Sequence, residues 1–158
     1  MGYNGLRKSW IFPGQASQFV GMGKDLFDST DVGKKYYNLA NDILEVDIQD
    51  ISFNGPEEKL KITKYTQPAI FIVSSVISHL LIENGHVPGC VAGHSLGEYS
   101  ALTAAGGISF ETGLELVKIR SNSMDKAGIT NPGTMAAIIG LNMDSVIKLT
   151  NSIKTNEV

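Results

Sequence analysis

Apolar and polar positions fall along this 158-residue chain in blocks whose spacing predicts strands and helices in turn. Ser9 to Phe12 is a short apolar run, which predicts a buried strand, and Pro13-Gly14 ends it in a turn. Asp31 to Glu45 carries apolar residues at Tyr36, Tyr37, Leu39, Ala40, Ile43 and Leu44, close to the 3.6-residue period of a helix. Asn54-Gly55-Pro56 reads as a turn, with Pro56, Glu57 and Glu58 opening a first helical turn. From Ala69 the positions Ala69, Ile70, Val73, Val76, Ile77, Leu80 and Leu81 repeat at helical spacing. Phe71 and Ile72 fill a second face, so this helix should be buried on several sides until Asn84-Gly85 stops it. Cys90-Val91-Ala92 predicts the end of another buried strand, and Glu98 to Ala105, rich in small residues, a helix packed closely on the sheet. Ser109 is an expected N-cap for a helix reaching about Ala127. Glu111 sits in its first turn, and Lys118, Arg120 and Lys126 lie further along, as the helix dipole favours. After the Asn131-Pro132-Gly133 linker, Thr134 to Leu141 reads as a strand and Asp144 to Ile153 as a short amphipathic helix.

Strands alternating with helices imply an α/β fold with a mostly parallel sheet flanked by helices. The last strand and helix have no partners after them, so the expected division is a core over residues 9–128 and the opening of a small subdomain over 133–158, in a truncated chain. Composition narrows the function. A net charge of −3 argues against a general nucleic-acid binder. The single cysteine, Cys90, excludes an intrachain disulfide framework and a cysteine-cluster metal site, and fits a reducing compartment. Trp10-Ile11-Phe12 is too short for a signal-peptide core, and Ala69 to Ile82, interrupted by Ser74, Ser75, Ser78 and His79, falls short of the ~20 residues of a membrane span. The expectation is a cytoplasmic protein with no membrane segment. Met1 to Lys8 forms a polar, glycine-rich lead-in.

The chemistry concentrates at Gly93-His94-Ser95-Leu96-Gly97, a G-x-S-x-G sequence set between a predicted strand and a predicted helix. A nucleophilic serine must stand on a sharp turn with its hydroxyl exposed. Gly93 and Gly97 remove the side chains that would obstruct that turn, and the following helix aims N–H groups at a developing oxyanion. The bland alternative is a glycine-rich turn with an incidental serine. His94 adjoins the serine and projects elsewhere, so it is expected as a structural hydrogen-bonding residue under the elbow and not as the base. His79 and His86 read as structural or solvated. Arg120 interrupts an apolar helical stripe, with Leu116 and Val117 one turn before it and Met124 and Ala127 after. An arginine facing the core needs an anionic partner. That partner could be a ligand or an internal acidic residue, or the side chain could snorkel to water.

These residues, with their neighbours, resemble a known family. Gly93-His94-Ser95-Leu96-Gly97-Glu98-Tyr99-Ser100-Ala101-Leu102 is similar to the active-site signature of malonyl-CoA:acyl carrier protein transacylases. Phe12-Pro13-Gly14-Gln15-Ala16-Ser17-Gln18 with Gly21-Met22-Gly23 resembles the family's N-terminal signature. Thr66-Gln67-Pro68-Ala69, Leu116-Val117-Lys118-Ile119-Arg120 with Met124, and Met135-Ala136-Ala137-Ile138-Ile139-Gly140-Leu141 are similar to three more segments, in the family's order. The resemblance implies an α/β-hydrolase-like core and the start of a ferredoxin-like small subdomain. It implies Ser95 as the acylated nucleophile and the backbone N–H groups of Gln15 and Leu96 as the oxyanion hole. Gln67 would line the pocket mouth, and Arg120 would hold the free carboxylate of a malonyl group. The activity implied is transfer of malonyl from malonyl-CoA to the phosphopantetheine thiol of acyl carrier protein, in fatty acid or polyketide synthesis. No metal or prosthetic group of the enzyme's own is implied. The family continues well past the position of Val158, and its base is a histidine from that later part, so this chain alone is expected to transfer little and to expose apolar surface near Ile138 and Ile153. Two other classes remain open: a serine esterase or thioesterase, which would normally place an acid and then a histidine after the serine, and a non-catalytic fragment that keeps the fold.

Overall fold

The computed structural model describes residues 8–132 and 138–153. Ten elements follow one another: β1 (Ser9–Phe12), α1 (Lys24–Ser29), α2 (Asp31–Leu44), α3 (Ile48–Asn54), α4 (Glu57–Leu60), α5 (Thr63–Glu83), β2 (Cys90–Gly93), α6 (Gly97–Ala104), α7 (Phe110–Thr130) and α8 (Met143–Ser152). The two strands pair in parallel, with Ser9 beside Cys90, Trp10 beside Val91, Ile11 beside Ala92 and Phe12 beside Gly93. A parallel pair needs a long crossover, and α1 to α5 supply it. The α/β class read from the sequence therefore holds, with helices dominating the described residues.

Side-chain caps fix several helix starts. Thr30 Oγ1 accepts from the Gly33 N–H at 2.9 Å, Asp47 Oδ1 from the Asp50 N–H at 2.8 Å, and Ser109 Oγ from the Thr112 N–H at 3.1 Å. Each satisfies an N–H that the helix leaves without an internal partner. α5 is the central element and packs against α2, α3, α4, α6 and α7. Ile70, Phe71, Ile72 and Val76 on α5 are buried with Tyr37 of α2, Ile48 and Ile51 of α3, Leu60 of α4 and Leu114 and Val117 of α7. Burying each such side chain stabilises by roughly 1.5–3 kcal/mol. Tyr36, Phe110 and Phe71 form a continuous stack, with ring centroids 4.1 Å and 5.6 Å apart, that ties α2, α7 and α5 together. Lys118 Nζ donates to the Ile43 carbonyl at 2.7 Å, a second tie between α7 and the end of α2.

Five expectations need correction. α5 begins at Thr63, six residues before Ala69, and runs through Pro68. Pro68 lies in the second turn, so it forfeits only one internal hydrogen bond, and the first turn is held by burial of Thr66 and Gln67. The resulting 21-residue helix is long and apolar enough to cross a membrane, yet 61% of its apolar window is buried inside the fold, as in a core helix. Pro56 is the N-cap of α4 and not its first helical residue. The strands are less buried than an apolar run suggests: Phe12 is covered, but Ile11 is 79% exposed and Cys90 lies at the surface. Only two strands pair among the described residues, and exposed and covered positions alternate along both, so Ser9, Ile11, Cys90 and Ala92 leave one face of the pair open. The strand expected over Thr134 to Leu141 falls partly outside the described residues, and Ile138 to Leu141 form no strand. α8 buries no side chain, and Ile138 and Ile153 are exposed.

Candidate active site

Ser95 sits between the end of β2 and the start of α6 with φ +55°, in the left-handed region. That conformation costs a non-glycine residue roughly 1–2 kcal/mol, and the packing around the turn holds it. The two glycines make the packing possible. A side-chain carbon at Gly93 would stand 2.0 Å from the Gly97 carbonyl carbon, and one at Gly97 would stand 2.2 Å from the Phe12 carbonyl oxygen. The elbow therefore folds directly onto the end of β1. Its backbone is locked by the His94 N–H donating to the Phe12 carbonyl at 3.0 Å and the Gly97 N–H donating to the His94 carbonyl at 2.9 Å.

Leu96 is fully buried and anchors the elbow in the core, while Ser95 and His94 are exposed. The His94 contribution is thus through its backbone. Its imidazole makes no hydrogen bond among the described residues, so the expected side-chain role under the elbow is not met. The outward-facing turn leaves that ring against the Gly14 backbone, where a carbon on Gly14 would come within 2.9 Å of Nδ1. His79 is engaged elsewhere, with Nδ1 2.9 Å from the Tyr36 hydroxyl and Nε2 3.1 Å from Glu83 Oε1. His86 is exposed in the loop after α5.

The turn after β1 brings Gln15 to the same end of the sheet. Gln15 Nε2 donates to Thr63 Oγ1 at 3.3 Å, joining this turn to the start of α5. The backbone N–H groups of Gln15 and Leu96 donate to no protein group among the described residues. Gln15 follows Gly14, which lies against His94, and Leu96 follows Ser95.

Arg120 reaches this site from α7. Its Nη2 donates to Ser95 Oγ at 2.8 Å and its Nη1 to Gln67 Oε1 at 2.5 Å. The guanidinium also lies over the Tyr99 ring, 5.9 Å from the centroid. It makes no ion pair among the described residues. The internal acidic partner considered from sequence is therefore not found there, and a half-buried cation is held by two neutral acceptors. Gln67 departs from its expected place at the pocket mouth. It is fully buried behind Arg120, and its amide Nε2 donates to Met124 Sδ at 3.3 Å. Burial demands that both ends of the amide be partnered, which fixes which end faces the arginine. Met124 and Tyr99 were missed as contributors. Their spacing offered a signal, since Met124 follows Arg120 by one helical turn and Tyr99 follows Ser95 by four residues.

The arrangement combines an exposed hydroxyl on a strained elbow with a cation that has no carboxylate partner among the described residues. Chemically it suits a nucleophile whose substrate carries both a carbonyl and a negative charge.

Comparison with known proteins gives the same direction. The acyl transferase domain model matches residues 9–153. Malonyl CoA-acyl carrier protein transacylase of Bacillus subtilis is 38% identical over 145 residues, 92% of this chain and 46% of that protein. The crystal structure of the Synechocystis malonyl-CoA:ACP transacylase superposes with a TM-score of 0.74 at 47% identity, covering 77% of this chain and 41% of that one. A type II polyketide-synthase acyl carrier protein in complex with its malonyl-transacylase gives a TM-score of 0.73 at 41% identity, covering 77% of this chain and 40% of the matched one. The chain spans a little under half the length of these relatives. With the match extending from β1 through α8, the chain belongs to the acyl transferase domain family.

Proposed function

We propose that this chain carries the nucleophile and acyl-recognition half of a malonyl-CoA:acyl carrier protein transacylase. The observation that carries the reading is Arg120 Nη2 at 2.8 Å from Ser95 Oγ, in a guanidinium with no ion pair among the described residues. A permanent cation beside a nucleophile fits an acyl group that bears a free carboxylate, and guanidinium geometry suits a two-point contact with it.

In the first half-reaction Ser95 Oγ attacks the thioester carbon of malonyl-CoA. The new C–O bond forms, the C–S bond breaks, and the serine proton passes through a base to the departing CoA thiolate. The N–H groups of Gln15 and Leu96 stabilise the oxyanion formed between these events. In the second half the phosphopantetheine thiol of acyl carrier protein attacks the malonyl-serine ester. The C–S bond forms, the C–O bond breaks and Ser95 regains its proton. The base would be a histidine, as the family resemblance implies, and His79, His86 and His94 make no hydrogen bond to Ser95 among the described residues. The reactive thiols belong to substrate and partner, so the reading needs no metal or prosthetic group held by this chain. Acyl carrier protein as partner draws support from the relative solved in complex with one. A cytoplasmic setting, and the division into a core over 9–128 and a small subdomain opening over 133–158, belong to the same reading.

The test uses the full-length protein incubated with malonyl-CoA and examined by intact-mass spectrometry. A malonyl adduct is expected on the wild type and not on Ser95→Ala. A malonylated Ser95→Ala protein would remove Ser95 from the role. Release of free malonate without transfer to a thiol would favour the esterase class instead.

A further inference from the structure

We infer that Arg120 caps the Ser95 hydroxyl in the resting site, and that a carboxylate on the incoming acyl group is what uncaps it. The inference rests on Ser95 being the nucleophile and adds a second role for Arg120: holding the serine back until the right substrate arrives.

The geometry gives the cap. Arg120 is charged at every pH the protein meets, and its Nη2–H donates to Ser95 Oγ at 2.8 Å, a charge-assisted hydrogen bond. Attack on a carbonyl uses a lone pair on Oγ. A donated hydrogen bond from a cation withdraws electron density from that atom and occupies the side from which one lone pair points. Among the described residues nothing else binds Ser95 Oγ.

The geometry also gives the release. The guanidinium has two unequal ends. Nη1 is held by Gln67 Oε1, and Gln67 is fully buried with its other amide end on Met124 Sδ, so that end is fixed from behind. Among the described residues Nη2 is held only by a neutral hydroxyl at the exposed face. A carboxylate is a far better acceptor for a guanidinium than a hydroxyl is, because it is charged and offers two oxygens to two N–H groups. It would take Nη2 from Ser95 without disturbing Gln67. No carboxylate of the described residues competes for the position. An acyl group lacking a carboxylate, such as acetyl, would then meet a serine that is still capped. Discrimination against neutral acyl groups would come partly from this block and not only from a missing contact.

The test is the rate at which a neutral reagent, phenylmethylsulfonyl fluoride, modifies Ser95 in the full-length protein. In that reaction the Oγ–S bond forms, fluoride leaves and the serine proton passes to solvent, and the reagent offers no carboxylate. Peptide mapping by mass spectrometry gives the rate at Ser95. Removing the cap in Arg120→Ala, or in Arg120→Met with the apolar stem retained, should speed modification by about tenfold, the scale of one hydrogen bond to a charged group. Malonyl transfer should fall in the same variants. A purely structural loss would slow both reactions, so opposite signs are the signature. In the wild type, sodium formate should speed modification relative to sodium chloride at matched ionic strength, and should do nothing in Arg120→Ala. The formate arm needs no substitution, so it decides the matter even where a variant fails to fold. Modification of Ser95 that is no faster in the variants, or unmoved by formate in the wild type, would overturn the cap and leave the nucleophile standing. If Ser95 is modified in no protein, the nucleophile assignment falls, and the cap with it.

Discussion

At the scale of single residues the elbow is governed by sterics and the charge beside it by chemistry. A methyl group on Gly97 would meet the Phe12 carbonyl oxygen at 2.2 Å, and backbone cannot step aside as a flexible side chain can. Gly97→Ala is expected to cost about 3 kcal/mol or more in stability, read as a lower urea midpoint, and to abolish acylation of Ser95. Arg120→Ala tests the charge. If Arg120 holds the acyl carboxylate, malonyl transfer should drop by a factor on the order of 30 or more, since losing a buried charge contact costs ~2–5 kcal/mol. Acetyl transfer should be spared or rise. Parallel rates of malonyl-CoA and acetyl-CoA turnover decide it, and equal losses would point to a structural role. Much of this site is legible locally. Gly93, Ser95 and Gly97 lie within five residues, and a strand before and a helix after are visible in the hydropathy pattern. The partners of Arg120 are not. Gln67 is 53 residues away and Ser95 is 25, and nothing local in any of these positions announces that they share hydrogen bonds.

Elements, and not residues alone, decide where Arg120 stands. α7 carries it, and α7 is started by the Ser109 cap, pinned to α2 by Lys118 and packed on α5 through Val117 and Leu114. Removing the cap should therefore loosen the helix at its first turn. Ser109→Ala is expected to lower stability by about 1 kcal/mol, and Ser109→Asp to retain it, because a carboxylate can accept from the Thr112 N–H and also suits the helix N-terminus. Chemical denaturation of the two variants beside the wild type gives the comparison. α2 and α7 are readable from sequence because each offers several turns of apolar repeat together with a capping residue. α1 and α3 are not, being six and seven residues long, too short for a period to establish itself. The start of α5 is hidden for another reason. Pro68 reads as a boundary in isolation, and only the burial of Thr66 and Gln67 against neighbouring helices carries the helix back to Thr63.

Across the whole molecule, burial sets the response to pH, and the surroundings of Ser95 set the activity expected of the chain alone. Burial pushes the Tyr37 hydroxyl well above the ordinary tyrosine range, and burial first, then the charges of Glu111 and Glu83, raises Tyr36. Below pH ~10, the ordinary value, both are neutral in folded and unfolded chains, and their contribution is complete. Above it the unfolded chain releases protons that the fold retains, so stability falls as pH rises toward the folded values. Urea midpoints should decline from about pH 10 upward, and Tyr37→Phe should flatten that decline. Activity follows from a different balance. A serine hydroxyl is a weak nucleophile near neutrality and needs a base within hydrogen-bond reach. The Ser95 hydroxyl meets Arg120, which can only donate, while His79 is shared between Tyr36 and Glu83 and the His94 ring bonds to nothing among the described residues. The apolar side chains Ile11, Phe19 and Ile139 stand 79%, 65% and 91% exposed. The 158-residue chain by itself is therefore expected to transfer malonyl to acyl carrier protein at least about a hundredfold more slowly than the full-length protein, the lower end of what a positioned base contributes. It should also enhance the fluorescence of an apolar dye. Radiolabelled malonyl transfer, with both proteins at equal concentration, measures the first. Comparable turnover would mean that a base lies within these residues after all. His94, whose ring is exposed one position before the serine, would then be the first to substitute, and loss of activity in His94→Ala with the fold intact would identify it.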